Sequence, residues 1–156
     1  MQEKFIDSLN LATKALQTAD HLTYITFPLV KEKRLLLKVL SELSNSLMNS
    51  MNAVLQYEYH WKRIQIYTDA RDNFSTFRTI AHRYDISPEQ MKIITEILIL
   101  NERHKKSPFE FIKNNKIVIT SGGMQTDYLT LDRVKSFLID VKDILRKVNS
   151  KIKTSI

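Results

Sequence analysis

Between Val30 and Tyr67 the chain contains neither proline nor glycine, and Leu36, Leu40, Leu43, Leu47, Ser50, Val54, Tyr57, Trp61 and Ile64 follow one another at alternating steps of four and three. That spacing puts all of them on one stripe of a helix. A helix over the whole stretch would be close to ~50 Å long at 1.5 Å per residue. A stripe of this length is stable only when buried, so the chain must supply another long helix folded back against it. Leu37, Val39, Met48, Met51 and Leu55 broaden the stripe, as expected of a helix with more than one neighbour. The partner lies upstream. Phe5, Leu9, Ala12, Leu16 and Ala19 repeat at helical steps and predict a first helix to about Tyr24, with Ala12, Ala15 and Ala19 admitting a close neighbour. Pro28 predicts an extended connection or a restart near Thr26.

Downstream, Asp69 to Asp72 reads as a loop or helix start, and Phe74, Phe77, Ile80, Ala81 and Tyr84 mark a short helix ending near Asp85. Ser87, Pro88 and Gln90 supply an N-cap, a first-turn proline and the third-position partner of a capping box, predicting a helix over 88–106 with Ile93, Ile94, Ile97, Leu98 and Leu100 inward. Ser107-Pro108 predicts one further helical turn containing Phe109, Phe111 and Ile112. Lys116 to Thr120, then Ser121-Gly122-Gly123, then Tyr128-Leu129-Thr130 read as a β-hairpin over about 116–130. Two strands alone are marginal in water, so the hairpin must lie on the bundle or complete a sheet with another chain. Val134, Phe137, Leu138, Val141, Ile144, Leu145, Val148 and Ile152 trace an amphipathic last helix from about Asp132. The expected fold is mostly α: an antiparallel helical bundle built on a long N-terminal helical hairpin, one domain over 1–156, with one small β-hairpin before the C-terminal helix.

Composition narrows the chemistry. Two Gly and three Pro leave little for the turns of a many-stranded β protein, and the absence of cysteine excludes disulfides, thiolate metal sites and cysteine nucleophiles. No apolar run approaches the length of a membrane span and the N-terminus lacks the pattern of a signal peptide, so a cytoplasmic protein without a membrane partner is expected. The net charge of +7 favours polyanions or acidic partners. It is unevenly spread: residues 131–156 carry seven Lys and Arg against three Asp, and residues 29–64 carry six against three Glu, which together account for the whole excess. Arg146, Lys147, Lys151 and Lys153 close the last helix without an intervening acid, which suits either a binding surface or the negative end of a helix dipole.

Two further constellations could carry chemistry. On a helix beginning by Arg71, the residues Arg71, Ser75, Arg78 and His82 form a narrow polar stripe, able to clamp a phosphate through guanidinium forks and an imidazole. The competing reading is a solvated face in which they pair with Asp69, Asp72 and Asp85. The segment Gln56 to Tyr67 mixes Tyr57, Tyr59, Trp61 and Tyr67 with His60, Lys62 and Arg63, a combination that stacks bases and meets phosphates. Tyr57, Trp61 and Ile64 continue the apolar seam and are expected in the core, leaving Tyr59, Lys62 and Arg63 at the surface. His21, His60, His82 and His104 are scattered outside any metal-ligand spacing, His104 being expected as a hydrogen-bonded histidine on the inner side of its helix. Ser121-Gly122-Gly123 lacks a phosphate-loop lysine and reads as a turn. Neither metal nor cofactor is expected.

A long helical hairpin followed by shorter helices, with Arg78 and His82 downstream, resembles the HEPN superfamily of helical bundles, many of them RNA-cleaving or nucleotide-associated. The resemblance covers the layout of residues 1–84. It implies a divergent ribonuclease in which His82 is the acid or base, Arg78 with Arg71 stabilises the scissile phosphate, and a dimer brings two such stripes together. The chain departs from the family in spacing: three residues separate Arg78 from His82 and ten separate Arg71 from His82, against four to six in active members. The texture also resembles that of small archaeal helical-bundle proteins, which brings no activity with it.

Three functions are therefore expected in order. The first is a non-enzymatic basic bundle that binds nucleic acid or a ribonucleoprotein through Lys62, Arg63, Arg71, Arg78, Arg146, Lys147, Lys151 and Lys153. The second is a protein-interaction or scaffold module acting through oligomerisation. The third is the HEPN-type ribonuclease.

Overall fold

The computed structural model describes residues 3–107, 110–120 and 126–154. Helix α1 (Lys4–His21) and helix α3 (Leu35–His60) form the long N-terminal pair. They run antiparallel, since the start of α1 meets the end of α3: Ser8 Oγ donates to Gln56 Oε1 at 2.9 Å and the Phe5 ring stands edge-on to Tyr57, while Ser46 Oγ donates to the Ala12 carbonyl at 2.9 Å farther along. Ala12 and Ala19 are fully buried, so the small residues are where the helices approach.

Of the two alternatives expected at Pro28, the restart near Thr26 is found and the extended connection is not. A π turn (Leu22–Thr26) passes directly into the short helix α2 (Phe27–Val30), and the chain reverses only at Lys31, whose φ is 55°. Proline in a helix collides with the carbonyl four residues back, here that of Tyr24. The extra residue of the π turn, in which the Phe27 N–H reaches the Leu22 carbonyl, accommodates the ring without ending the helix.

Helix α3 is also shorter than its seam. Its 26 residues span about 39 Å, and it stops at His60 rather than Tyr67. Lys62 adopts a left-handed conformation with φ 59°, its N–H bonds the Tyr59 carbonyl and the Arg63 N–H bonds the Glu58 carbonyl, both at 2.9 Å, which closes the helix in a Schellman motif. Beyond this stop the apolar periodicity no longer maps to one face. Tyr57 is buried, Ile64 is half-buried, and Trp61 is 52% exposed instead of lying in the core; Met48 is exposed too.

Helix α4 (Ala70–Ile80) is capped by Asp69 and tightens into a 3₁₀ turn (Ala81–Tyr84) that ends at left-handed Asp85. Helix α5 (Pro88–Lys106) has the expected bounds and capping box, with Ile94, Ile97 and Leu100 buried. The helical turn expected after Ser107 is instead strand β1 (Glu110–Lys113), which pairs antiparallel with β2 (Lys116–Thr120), itself paired with β3 (Thr126–Leu129). Asn114 and Asn115, at φ 52° and 64°, make the two-residue turn that joins β1 to β2. The expected hairpin is thus two strands of a three-stranded sheet; Phe109 and Ser121-Gly122-Gly123 lie outside the described residues. Ile117, Ile119 and Leu129 face the bundle, and the Arg103–Asp127 ion pair and the His104–Glu110 hydrogen bond tie the sheet to α5.

Helix α6 (Leu131–Lys153), capped by the Thr130 hydroxyl, buries all eight residues of its expected inner face. Lys142 pairs with Asp20 and Lys135 lies over the Tyr24 ring, so α6 runs antiparallel to α1, and Gln90 donates to Asp143 to join α5 to α6. The buried side chains of the helices and of the sheet's inner face form one cluster. Among the described residues no helix is long and apolar enough to cross a membrane.

Candidate functional site

The end of α3 carries an unusual residue. Glu58 follows Met51 and Leu55 on the broadened apolar stripe and is 2% exposed. An ionised carboxylate there requires a cation and hydrogen bonds. Arg63 supplies both, because the Schellman turn folds its backbone onto the Glu58 carbonyl and its side chain onto the Glu58 carboxylate. Arg83, from the 3₁₀ turn after α4, approaches the other oxygen at 3.7 Å. The hydrogen bond to Glu58 is the leading reason that the Arg63 guanidinium is held above its ordinary pKa.

Around this group lies a cavity of about 780 Å³ lined by Tyr57, Glu58, Trp61, Arg63, Arg83, Tyr84 and Lys151. Three cations against one carboxylate leave a net charge of +2. Aromatic walls flank it: Trp61 stands edge-on to Tyr57 and His60, and the Arg63 guanidinium lies 5.6 Å from the Tyr57 ring centre. The Tyr84 hydroxyl is buried and closes no hydrogen bond among the described residues. Burial, reinforced by the Glu58 charge, raises its pKa well above the ordinary phenol value, so it stays protonated. A positively charged recess with an exposed indole at its mouth can hold a phosphate and stack a base.

Of the basic residues singled out from the sequence, the fold brings Arg63 and Lys151 together here, with Lys62 exposed beside them. Arg83, Glu58 and Tyr84 were not anticipated. Glu58 had a visible signal, a lone carboxylate on an apolar stripe; Arg83 had none, since only folding brings it to α3. Lys147 is a structural residue. It is 21% exposed and donates to the Asp85 carbonyl at 2.7 Å and to Gln90 Oε1 at 2.9 Å. Arg146 pairs with Asp143 at 2.7 Å, and Lys153 is exposed in the last turn of α6.

The Arg71, Ser75, Arg78, His82 stripe divides. The helix gives way to a 3₁₀ turn at Ala81, which advances each residue farther around the axis and carries His82 off the stripe. Arg71, Ser75 and Arg78 line a groove against α3 and α5, whereas Arg78 and His82 line another over α5. The expected ion pairs to Asp69, Asp72 and Asp85 do not form: Asp69 caps α4 instead, and the Arg78 guanidinium lies 5.1 Å from the Phe74 ring centre. His82 Nδ1 sits 3.1 Å from the Thr79 carbonyl, so Nδ1 carries the proton and Nε2 remains open. His104 is hydrogen-bonded to Glu110 at 2.7 Å. No group of acidic and histidine side chains among the described residues has the arrangement of a metal site.

Comparison with protein-family models, curated proteins and solved structures finds no match. The HEPN resemblance accordingly rests on the layout of the sequence alone.

Proposed function

We propose that the protein is a non-enzymatic basic helical bundle that binds single-stranded nucleic acid at the α3–α6 end. One observation carries the reading: Arg63, Arg83 and Lys151 converge on one cavity whose rim holds the exposed Trp61. Guanidiniums and an ammonium neutralise phosphates, and an exposed indole offers a stacking platform to any base. A single strand fits this arrangement because its bases are free to stack, whereas those of a duplex are already stacked on one another.

Trp61 is the chain's one tryptophan, so its fluorescence reports directly on this cavity. A single-stranded oligonucleotide should quench it, with affinity falling as salt rises. With Glu58 already offsetting one cation, two neutralised phosphates give a log-log slope of about −1.4 at roughly −0.7 per single-strand phosphate. Lys151→Glu with Lys62→Glu should weaken binding at least tenfold. Unchanged Trp61 emission at low salt, or binding insensitive to salt, would reject the reading.

A second reading, a module that docks another protein or a second copy, is favoured by a different surface. Ile25, Leu29 and Val30 project at the α1–α3 connection, Leu29 at 81% exposure. Light scattering at tens of micromolar should then show an oligomer that Leu29→Glu returns to monomer; a monomer throughout counts against self-association.

A further inference from the structure

The groove over α5 differs in kind from the α3–α6 cavity. Pro88, Met91, Thr95, Ile99 and Arg103 recur at steps of three and four, so one face of α5 forms its floor over almost the whole helix. From Pro88 to Arg103 that face runs about 22 Å at 1.5 Å per residue. Ala81 and Ile86, from the turn after α4, form one apolar wall. Ile99, at 46% exposure, leaves a large aliphatic side chain open to the groove.

Its charges are unequally distributed. Arg103 is held by Asp127, and Arg133 by Glu96 and the Tyr128 carbonyl, so these four groups satisfy one another. Arg78 and Lys92, which also line the groove, have no acidic partner among the described residues. The groove therefore joins an apolar floor to two cations that are neutralised and two that are not.

We infer that this groove binds a small amphiphilic anion, an acyl carboxylate whose chain lies along α5 and whose head meets Arg78 and Lys92. The carboxylate complements the two unpaired cations. The size of the groove suits a small molecule. The cavity volume is about 720 Å³, within the roughly 300–1,000 Å³ of small-ligand pockets. The two ion pairs leave no further cation to draw a second anionic group, so a single-headed ligand fits best.

The test uses dodecanoate below its micellar concentration, titrated calorimetrically into the full chain. One saturable site is expected, and dodecanol and hexanoate should each bind at least tenfold more weakly, lacking head and chain respectively. Arg78→Ala with Lys92→Ala should weaken dodecanoate at least tenfold, and Ile99→Asp should abolish binding; all three positions are exposed, and circular dichroism checks the fold. Trp61 emission should not change, because the indole lines the other cavity. Four results would each overturn the inference: no saturable site, equal binding of dodecanol, undiminished binding by Ile99→Asp, or quenching of Trp61. An acidic amphipathic peptide binding this groove more tightly than dodecanoate would likewise replace the small anion with a protein partner.

Discussion

Charged side chains organise the end of α3 and the start of α5 in opposite ways. At α3 a single carboxylate, Glu58, is sunk in the apolar interior and two arginines reach it from the surface. At α5 the network is shallow: the Ser87 N–H and Lys147 Nζ both donate to Gln90 Oε1, Gln90 Nε2 donates to Asp143, and Lys147 also caps the Asp85 carbonyl. The difference teaches that burial, not the number of hydrogen bonds, sets what a charge contributes. A buried charge stripped of its partners keeps its whole desolvation cost, whereas a surface group exchanges a protein partner for water.

The largest expected effect follows at Glu58. Arg63→Ala with Arg83→Ala leaves a buried carboxylate without a counter-ion and should destabilise the fold by about 3–5 kcal/mol. Glu58→Gln keeps both arginines, whose heads are already half in water, and should cost no more than about 2 kcal/mol. Urea unfolding of the three chains measures both. If the double variant costs less than the glutamine variant, the two arginines do not hold the carboxylate.

At α5, Lys147→Ala removes two donated hydrogen bonds and an ion pair from a side chain mostly covered by its neighbours. The expected loss is about 1–2 kcal/mol, with Ser87→Ala costing about 1 kcal/mol through the cap. Because both act on Gln90, the double variant should lose less than the sum. Strict additivity in urea unfolding would show that the capping box and the α6 contact are independent, and the comparison with Glu58 would then be between one buried group and two unrelated surface ones.

These two regions also mark what the sequence could disclose. The capping box is local, so Ser87, Pro88 and Gln90 predicted the bounds of α5, and the period of Val134 to Ile152 predicted the whole inner face of α6. Glu58 showed itself as a polar interruption of an apolar stripe, but its partner Arg83 lies twenty-five residues on and becomes adjacent only through the packing of the 3₁₀ turn. The errors were of another kind. Apolar periodicity overran the stop at Lys62 because a lysine in a left-handed conformation carries no signal comparable to glycine. Asn114-Asn115 is a turn signal that competes with the Ser-Pro cap upstream, and in the fold the turn prevails.

Lys62 offers a test with the opposite sign. A left-handed conformation costs a non-glycine residue roughly 1–2 kcal/mol, part of which glycine returns as greater freedom of the unfolded chain. Lys62→Gly should therefore raise stability by about 0.5–1 kcal/mol, although it removes a cation beside the Trp61 cavity. A higher urea midpoint together with weaker oligonucleotide binding would separate the structural demand at this position from its electrostatic one. A lower midpoint would mean that the lysine side chain itself holds the Schellman turn.

The smallest effect lies within α6, where two aspartates one turn apart respond to their surroundings in opposite directions. Hydrogen bonds, led by that from Arg146 and joined by those from Gln90 and Lys147, hold the Asp143 carboxyl below its ordinary value. Burial, then the charges of Asp143 and Glu96, hold Asp140 above it. In the acid range the unfolded chain binds more protons at Asp143 than the folded chain, so this residue makes stability rise with pH; its contribution is present above the ordinary carboxylate value and is lost as pH falls through the depressed one. Asp140 does the reverse: the folded chain holds its proton longer, and stability declines as pH climbs through the raised value. Both groups are only partly buried, and solvent screening limits each contribution to about 0.5 kcal/mol. Asp143→Asn should accordingly lower stability at neutral pH and flatten its rise out of the acid range, whereas Asp140→Asn should raise stability at neutral pH and leave a steeper rise. Urea midpoints measured from about pH 3 to pH 7, a window that brackets the ordinary carboxylate pKa, resolve the two slopes. Shifts of the same sign would show that Asp140 and Asp143 share one electrostatic environment, set by the basic charge of the helix rather than by the particular partners of each.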